Sequence, residues 1–317
     1  MTQLRLLGGN NGAAGPINSR GEVAGIAENS TRDPECPSAS AVNGTGPQVL
    51  DFEAVIWGPR QGQIRELRPL PGDSVGMALW INDNGEAVGI SGRCANTIVP
   101  PIAVGPHAVL WNKDGSVHDL GSLGGTVNTS LLGVGNAALS INNRDWVVGA
   151  SALPGNTNNH AFLWTKQTGM RPLGTLPGYD NSAAGGINDR GDVVGTSYDV
   201  NFNLRAFLWQ NGVMTDLNAL VPASSQMSLW FATAINSRGD IVGFGLTSGG
   251  DVHGFLATPC DGNRGDTESC KDDAEGAAAE ADETTERPHP VLSEDARKLL
   301  QQRLRFSRFG VPLTGPR

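Results

Sequence analysis

The sequence lacks the short motifs that identify most enzymes, and it has no long apolar segment. It contains no GxSxG, HExxH, phosphate-loop or CxxC motif and no EF-hand calcium loop. No apolar run reaches the roughly 18–20 residues that a membrane-spanning helix requires. The net charge of −9 is opposite in sign to that of a typical nucleic-acid-binding protein. We therefore expect no enzymatic activity, no cofactor, no membrane span and no nucleic-acid partner.

Tyrosine, cysteine and methionine are scarce, with 2, 4 and 5 copies, whereas glycine accounts for 43 of the 317 residues. That share of glycine is about twice the usual one. Because the glycines follow no collagen period, they indicate many tight turns. The 9 Phe and 7 Trp are enough to build a hydrophobic core, so the chain is not disordered throughout.

Three short phrases recur five times in the same order, and such a repeat decides the architecture. An Ile-Asn phrase reads INSRGEVAG at 17–25, INDNGEAVG at 81–89, INNRDWVVG at 141–149, INDRGDVVG at 187–195 and INSRGDIVG at 235–243. An aromatic phrase follows each of them: EAVIW at 53–57, HAVLW at 107–111, HAFLW at 160–164, RAFLW at 205–209 and HGFLA at 253–257. A leucine phrase, such as LGTLPG at 173–178, precedes each Ile-Asn phrase.

Each unit predicts four short strands that are rich in β-branched or aromatic residues and bounded by turn residues. Four strands in about 40–50 residues is the spacing of a β-propeller blade. We therefore predict an all-β fold for residues 1–260: a five-bladed β-propeller of twenty strands in four-stranded blades. A β-solenoid is the alternative, but its coils are shorter and need no tight hairpins in every repeat.

The hairpin between the first and second strands of each unit is predicted from its Asn and Gly residues. The third residue of such a loop takes the left-handed conformation, which glycine adopts without steric cost. Asparagine caps the turn through its side-chain oxygen. The structural turn residues are Asn18, Gly21, Asn82, Gly85, Asn142, Asn188, Gly191, Asn236 and Gly239, with Asp145 in place of glycine in the third unit.

The two ends of the propeller region are expected to close the ring. HGFLA at 253–257 has no fourth strand after it, and QLRLLGG at 3–9 matches the leucine phrase without a third strand before it. We therefore predict that residues 3–7 pair antiparallel with residues 254–258. An open ring would leave unpaired strand edges, which natural sheets avoid.

The combined pattern of HAFLW, LGxLxG and IN followed by VVG resembles the HAF repeat family over about residues 2–257. The match is strongest at 160–164 and 187–195, and weaker where Glu53 replaces His and where Ala257 replaces Trp. The resemblance implies a bacterial extracellular repeat protein without an assigned activity.

Function is expected on the face that carries the long connections. The second-to-third and fourth-to-first connections share one face and vary in length, whereas the opposite face has only tight turns. Binding residues concentrate on variable loops of a rigid scaffold. Candidate ligand-binding residues are Trp230, Phe231, Asp51, Asp180 and Tyr179, with Trp230 and Phe231 as a stacking site for a sugar or other flat ligand. We expect a monomer that binds an unidentified glycan or protein.

Two further chemistries are weighed against this binding or structural module. Five-bladed propellers host glycoside hydrolases with paired carboxylates, so a polysaccharide hydrolase or lyase is the alternative function. A metal site formed by His107, His160 and His253 is not expected. Third strands of neighbouring blades lie too far apart for zinc, whose His ligands sit at ~2.0–2.1 Å.

The four cysteines fall in predicted loops and favour two disulfides, Cys36–Cys94 and Cys260–Cys270. Disulfides suit an oxidising compartment, so we expect an extracellular or cell-surface protein. Against this, Met1 leads directly into a strand with no signal peptide, which keeps a cytoplasmic location with reduced cysteines open.

The composition changes beyond the propeller. Residues 261–286 carry ten acidic and two basic residues, and they contain almost no large apolar side chains. We therefore predict a disordered acidic linker over 261–290. Residues 291–317 predict a short basic amphipathic helix and tail, with Ser293 as the N-cap.

Overall fold

The computed structural model describes residues 3–36, 50–94, 98–99, 102–103, 107–126, 136–221 and 225–259. These residues form almost entirely β-strands and turns, with one 3-10 helix at Leu217–Ala219. Within them, no helix is long and apolar enough to cross a membrane. The predicted linker at 261–290, the predicted helix at 291–317 and the predicted Cys260–Cys270 bond lie outside the described residues.

Five antiparallel sheets follow one another along the chain, one for each repeat, as predicted. The first contains β1 (Gly8–Ile17), β2 (Val23–Arg32), β3 (Leu50–Trp57) and β4 (Ile64–Leu67). The second contains β5 (Val75–Ile81), β6 (Ala87–Gly92), β9 (His107–Trp111) and β10 (Val117–Asp119). A separate hairpin of β7 (Ile98–Val99) and β8 (Ile102–Ala103) lies in the chain between β6 and β9.

The third sheet contains β11 (Ala137–Ile141), β12 (Val147–Ala152), β13 (Asn159–Thr165) and β14 (Gly169–Gly174). The fourth contains β15 (Asn181–Ile187), β16 (Val193–Tyr198), β17 (Leu204–Gln210) and β18 (Val213–Asp216). The fifth has three strands, β19 (Met227–Ile235), β20 (Ile241–Thr247) and β21 (Val252–Ala257). Every sheet keeps the sequence order of its strands, so each repeat forms one meander.

The glycine that ends each Ile-Asn phrase is required by a bulge in the preceding strand. In the second sheet, the pairing of β5 with β6 shifts register between Ala78 and Trp80. A Cβ atom at Gly89 would lie 1.8 Å from the carbonyl oxygen of Met77. At Gly149 it would lie 1.9 Å from the Ala137 oxygen and 3.0 Å from the Phe162 ring. Only glycine therefore lets the bulged strand and the aromatic phrase pack against the second strand.

Successive sheets pack face to face through their apolar side chains. Ala54 and Leu67 of the first sheet share a buried cluster with Ala78 and Trp111 of the second. The same arrangement joins the second sheet to the third, the third to the fourth and the fourth to the fifth. The Trp111 indole Nε1 also donates to the carbonyl of Arg68, just past β4, at 2.7 Å. This serial packing is propeller-like.

Among the described residues, the predicted pairing of residues 3–7 with β21 is absent, and the fifth sheet has three strands there instead of the predicted four. Leu7 instead makes an isolated parallel bridge with Asn29 of β2. The carbonyl of Arg5 accepts the Trp57 indole at 2.7 Å, just as Arg68 accepts that of Trp111. Leu6 and Leu7 pack on the cluster around Trp57.

The contacts of residues 3–7 with Trp57 hold this segment against the first sheet. In the described residues, no strand of the fifth sheet packs extensively on the first. The strand β1 is accordingly half-exposed, with Ile17 at 66% exposure, whereas β5, β11 and β15 are largely buried. The five sheets therefore form an open series.

An asparagine organises each tight turn between the first and second strands. The side-chain oxygen of Asn188 accepts the backbone N–H groups of Arg190 and Asp192, both at 3.0 Å. Its amide donates to the Asp192 carboxylate at 2.8 Å. Gly191 takes the left-handed conformation with φ of 92°. The oxygen of the other four asparagines accepts the equivalent pair of backbone N–H groups.

The same asparagines also connect neighbouring sheets. The amide of each donates to the backbone carbonyl of the asparagine in the next repeat, and we call this series the asparagine ladder. Its four bonds are Asn18 to Asn82 at 3.0 Å, Asn82 to Asn142 at 3.1 Å, Asn142 to Asn188 at 2.9 Å and Asn188 to Asn236 at 3.2 Å. The four donors are buried, whereas Asn236, at the end of the series, is exposed.

Asn188→Ala is expected to destabilise the protein by about 1–3 kcal/mol more than Asn236→Ala, because a buried group that loses its partner costs about that much. Both substitutions remove the same bonds within a turn. Only Asn188→Ala removes a bond between sheets and leaves the Asn236 carbonyl without that donor. Urea unfolding of both variants measures the difference. Equal losses of unfolding free energy in the two variants would show that the ladder does not contribute to stability.

A carboxyl pair lies beside the ladder where the third repeat lacks glycine. Asp145 takes the left-handed conformation with φ of 61°, and its carboxylate accepts the Asn82 and Asn84 amides at 3.3 and 3.2 Å. Burial, followed by the hydrogen bond and repulsion from Asp145, raises the pKa of Glu86 to about 7, and only the Asn82 bond and Lys166 oppose this. Glu86 therefore keeps its proton to about neutral pH.

Since the pKa of Glu86 is higher in the folded protein than in the unfolded chain, its contribution to stability is complete below about pH 4.5 and is lost as the pH rises through about 7. Glu86→Gln is expected to flatten the decline in melting temperature between about pH 5 and 9, because an amide donates permanently to Asp145. Asp180→Asn, at an exposed carboxylate, serves as the control. A melting temperature that depends on pH in Glu86→Gln as it does in the wild type would contradict the raised pKa of Glu86.

Candidate functional site

The meander order places the two kinds of connection on opposite faces of every sheet. One face, here called the turn face, carries the asparagine ladder and the tight turns between third and fourth strands. The other, here called the loop-rich face, carries the ends of the second and fourth strands and the starts of the third. Asp51, Tyr179 and Asp180 all lie at the loop-rich face, as predicted from the repeat.

Backbone and side-chain polar groups on the turn face are largely paired with each other. Beside the ladder, the residue after each asparagine forms a second series between repeats. The Ser19 N–H donates to Asp83 at 2.8 Å, the Asp83 N–H to Asn143 at 2.9 Å, and the Asn143 N–H to Asp189 at 2.8 Å. The turn face is thus a scaffold, which leaves the loop-rich face as the candidate site.

The most unusual chemistry on the loop-rich face belongs to Asp33 and Asp51 in the first sheet. Their carboxyl groups lie within hydrogen-bonding reach of each other. Asp33 is fixed by the backbone N–H of Glu35 at 2.7 Å and the hydroxyl of Ser74 at 2.8 Å. Ser74 in turn accepts the N–H of Cys94 at 3.1 Å, so the second repeat positions a carboxylate of the first.

Asp51 is 8% exposed, and its Oδ1 atom has no hydrogen-bond partner among the described residues. Burial, followed by the hydrogen bond and repulsion from Asp33, raises the pKa of Asp51 to about 7. For Asp33, burial is outweighed by hydrogen bonds from Ser74, the Glu35 N–H and Asp51, which lower its pKa. The pair therefore divides into one ionised carboxylate and one group that holds its proton near neutrality.

Glu53 follows Asp51 on the same side of β3, at the position where other repeats have His or Arg. It is 7% exposed, and its Oε2 atom has no partner in the described part of the chain. Burial, followed by repulsion from Glu66 and Asp51, raises its pKa to about 8, although the Asn29 amide at 3.2 Å and Arg68 oppose this. Three carboxyl groups are thus concentrated at one end of the first sheet.

Tyr179 and Asp180 form a separate group at the fourth sheet. Asp180 is exposed, while Tyr179 is half-buried against the apolar cluster of the third and fourth sheets. Burial raises the pKa of Tyr179, although the neighbouring Arg205 guanidinium opposes the shift. Arg205 also pairs with Asp216 at 3.7 Å. This group has an aromatic ring, a cation and two acids, but it lies on different sheets from Asp51.

The prediction that Trp230 and Phe231 offer a stacking surface does not fit the structure. Trp230 is 3% exposed and Phe231 is 8% exposed. Both belong to a buried cluster with Tyr198 and Phe202, and Phe231 stacks on Phe244 with ring centroids 5.5 Å apart. The aromatic pair is part of β19, so it packs in the core of the fourth and fifth sheets instead of lining the loop before it.

The predicted disulfide between Cys36 and Cys94 is confirmed, with Cα atoms 4.7 Å apart. It joins the loop after β2 to the end of β6 and therefore links the first and second sheets. The two sulfur atoms and the Asp33 carboxylate lie within 4.8 Å of one another, and within the described ranges they are the one group of three such potential ligands. Because the sulfurs are bonded to each other, neither is a thiolate.

Breaking this disulfide is expected to lower the stability substantially. Its ends are 58 residues apart, and chain-entropy arguments assign a loop of that length about 4 kcal/mol. Reductant should lower the melting temperature of the wild-type protein. The Cys36→Ser/Cys94→Ser double variant should unfold at the lower temperature and show no response to reductant. A wild-type protein that is equally stable in reductant would contradict this expectation.

A cavity of about 300 Å³ lies between the first strands of the first three sheets, β1, β5 and β11. Small residues of β1, among them Ala13 and Pro16, face Trp80 of β5 and Leu139 of β11 across it. Its lining is mainly apolar and contains none of the predicted ligand residues. It adjoins the exposed strand β1 at the open side of the series.

Sequence reasoning identified Asp51 but missed Asp33 and Ser74. Asp33 lies in the stretch Asp-Pro-Glu-Cys, where the following Cys36 is bonded to the second repeat. A disulfide between two loops requires their flanking residues to lie close together. The cysteine pairing was therefore the available signal for this carboxyl pair.

Comparison with known proteins identifies no family for the chain. No protein-family model matches the chain, and no curated protein matches it. A similar solved structure, described as YCF48 bound to D1 peptide, is 12% identical with a TM-score of 0.37. The alignment covers 81% of this chain and 75% of that one. This likeness is too slight to carry an argument about function.

Proposed function

We propose that the protein is a non-catalytic module of the HAF repeat type, secreted or held at the cell surface, that binds a ligand through its loop-rich face. One observation carries the proposal. The polar groups of the turn face are used between repeats, whereas the loop-rich face has exposed polar side chains and buried carboxyl oxygens that have no hydrogen-bond partner in the described residues. A rigid scaffold with one variable face is typical of a binding protein.

The composition of the loop-rich face favours a polar ligand. The half-buried Tyr179 lies near Arg205 and Asp216, and the exposed Asp180 follows it in the chain, so this part of the face supplies donors, acceptors and an aromatic ring. Such a combination suits a carbohydrate or a polar peptide segment. The buried pair Trp230 and Phe231 takes no part.

Screening the full chain on a glycan array tests the proposal. Asp180→Asn and Tyr179→Phe are expected to weaken binding to any glycan found by about tenfold, because each removes one hydrogen-bonding group from a polar site. Lys113→Ala changes an exposed side chain on the turn face and is expected to bind normally. Loss of binding in Lys113→Ala with no change in the other two variants would show that the site lies on the turn face and would contradict the proposal.

A polysaccharide hydrolase or lyase is the second candidate, and the raised pKa of Asp51 is the observation that favours it. General acids require such a shift near neutrality. The two candidates are separated by a turnover assay on common polysaccharides. Product release that is abolished by Asp51→Asn would replace the binding module with an enzyme.

The compartment and the oligomeric state follow from the same proposal. A disulfide that links two sheets is typical of an oxidising compartment. Fractionation of the producing cells should recover the protein outside the cytoplasm with Cys36 and Cys94 oxidised. Light scattering should give the mass of one chain.

A further inference from the structure

The carboxyl pair of Asp33 and Asp51 includes a buried oxygen that has no hydrogen-bond partner among the described residues. Two carboxyl groups in contact repel each other unless a proton or a cation lies between them. The hydrogen bond and the repulsion that raise the pKa of Asp51 both come from Asp33. Glu53, two residues along β3, adds a third buried carboxyl group.

An independent observation points to a ligand at this pair. Asp51 is more than nine-tenths buried, yet its Oδ1 atom finds no hydrogen-bond partner among the described residues. A buried acceptor without a partner costs about 1–3 kcal/mol, so native proteins rarely keep one unless something binds it. The other oxygens of the pair are held in place: Asp33 is oriented by the Ser74 hydroxyl and the Glu35 N–H.

We propose that Asp33 and Asp51 bind a calcium ion at the loop-rich face of the first sheet, with Ser74 orienting Asp33. The pair offers carboxylate oxygens, which calcium prefers. The neighbouring sulfurs of Cys36 and Cys94 are bonded to each other, which removes the thiolates that zinc would select. Asp33 is half-exposed, so water supplies the remaining ligands.

Calcium is favoured over magnesium because the donors come from irregular loop and strand-end positions. Magnesium demands near-ideal octahedral geometry, whereas calcium accepts six to eight oxygens in varied arrangements. Two carboxylates with water ligands predict a Kd on the order of 1 mM, the range of extracellular modules. The ion would also join the two repeats that the disulfide links, because Ser74 belongs to the second repeat. This inference does not depend on the ligand of the proposed function.

Calcium titration of the full-length, oxidised protein tests the site after dialysis against EDTA. In about 10 mM calcium chloride the melting temperature should rise by roughly 3 °C. Calorimetry should show at least about tenfold weaker binding in Asp51→Asn, because that substitution removes one of the two charged ligands. Asp251→Asn is the matched control and should bind like the wild type, since Asp251 is exposed beside β21 of the fifth sheet.

The acidic segment 261–286 is the competing calcium site, and the variants separate the two. Asp51→Asn leaves that segment intact, so equal calcium affinity in the wild type and in Asp51→Asn would overturn the proposal. No rise in melting temperature and no binding heat in the wild type would overturn it as well, and would leave a shared proton between the carboxyl groups. If Asp51→Asn fails to fold, Asp33→Asn makes the same measurement.

Discussion

The fold depends on one repeated interaction, the donation of an asparagine amide in each tight turn to the carbonyl of the same turn in the next repeat. The asparagine oxygen closes its own turn by accepting two backbone N–H groups, and its amide holds the adjacent turn in place. The same side chain therefore sets local structure and the spacing between sheets. Where the series ends, at Asn236, the side chain is exposed and the packing of sheet on sheet also ends.

The ladder divides the molecule into a fixed face and a variable one. Polar groups that are saturated between repeats are unavailable to a ligand, and the third repeat shows how far this extends. There Asp145 replaces the turn glycine and accepts amides from the second repeat, and together with burial, the larger cause, it raises the pKa of Glu86. On the loop-rich face, Asp33 repels Asp51 and raises its pKa, and the Oδ1 atom of Asp51 has no hydrogen-bond partner among the described residues.

Glycine and aromatic side chains cooperate in building each sheet. The bulge in the first strand brings a carbonyl onto the second strand, and only glycine fits beneath it. The same absence of a Cβ atom admits the aromatic ring of the third strand, as at Gly149 and Phe162. The Ile-Asn phrase and the aromatic phrase are therefore two halves of one packing arrangement, which explains why they recur together.

By itself the sequence determined the number of sheets, the order of strands within them, the turn residues and the disulfide between Cys36 and Cys94. These features follow from local chemistry, because each type of turn requires particular residues at particular positions. The repeat places the same turn residues in the chain five times. The loop-rich face was also predictable, because the meander order decides on which side each connection lies.

Only the tertiary structure decided the placement of residues 3–7, of Trp230 and Phe231, and of Asp33. Residues 3–7 carry the fourth-strand phrase, and the indole of Trp57 and the packing of Leu6 and Leu7 hold them against the first sheet, where they do not pair with β21. Trp230 and Phe231 appear beside a variable loop in the sequence and are buried because the fourth and fifth sheets meet there. Asp33 meets Asp51 across a connection whose course no local pattern specifies. In each case the outcome depends on contacts between distant segments, which strand patterns and turn residues do not encode.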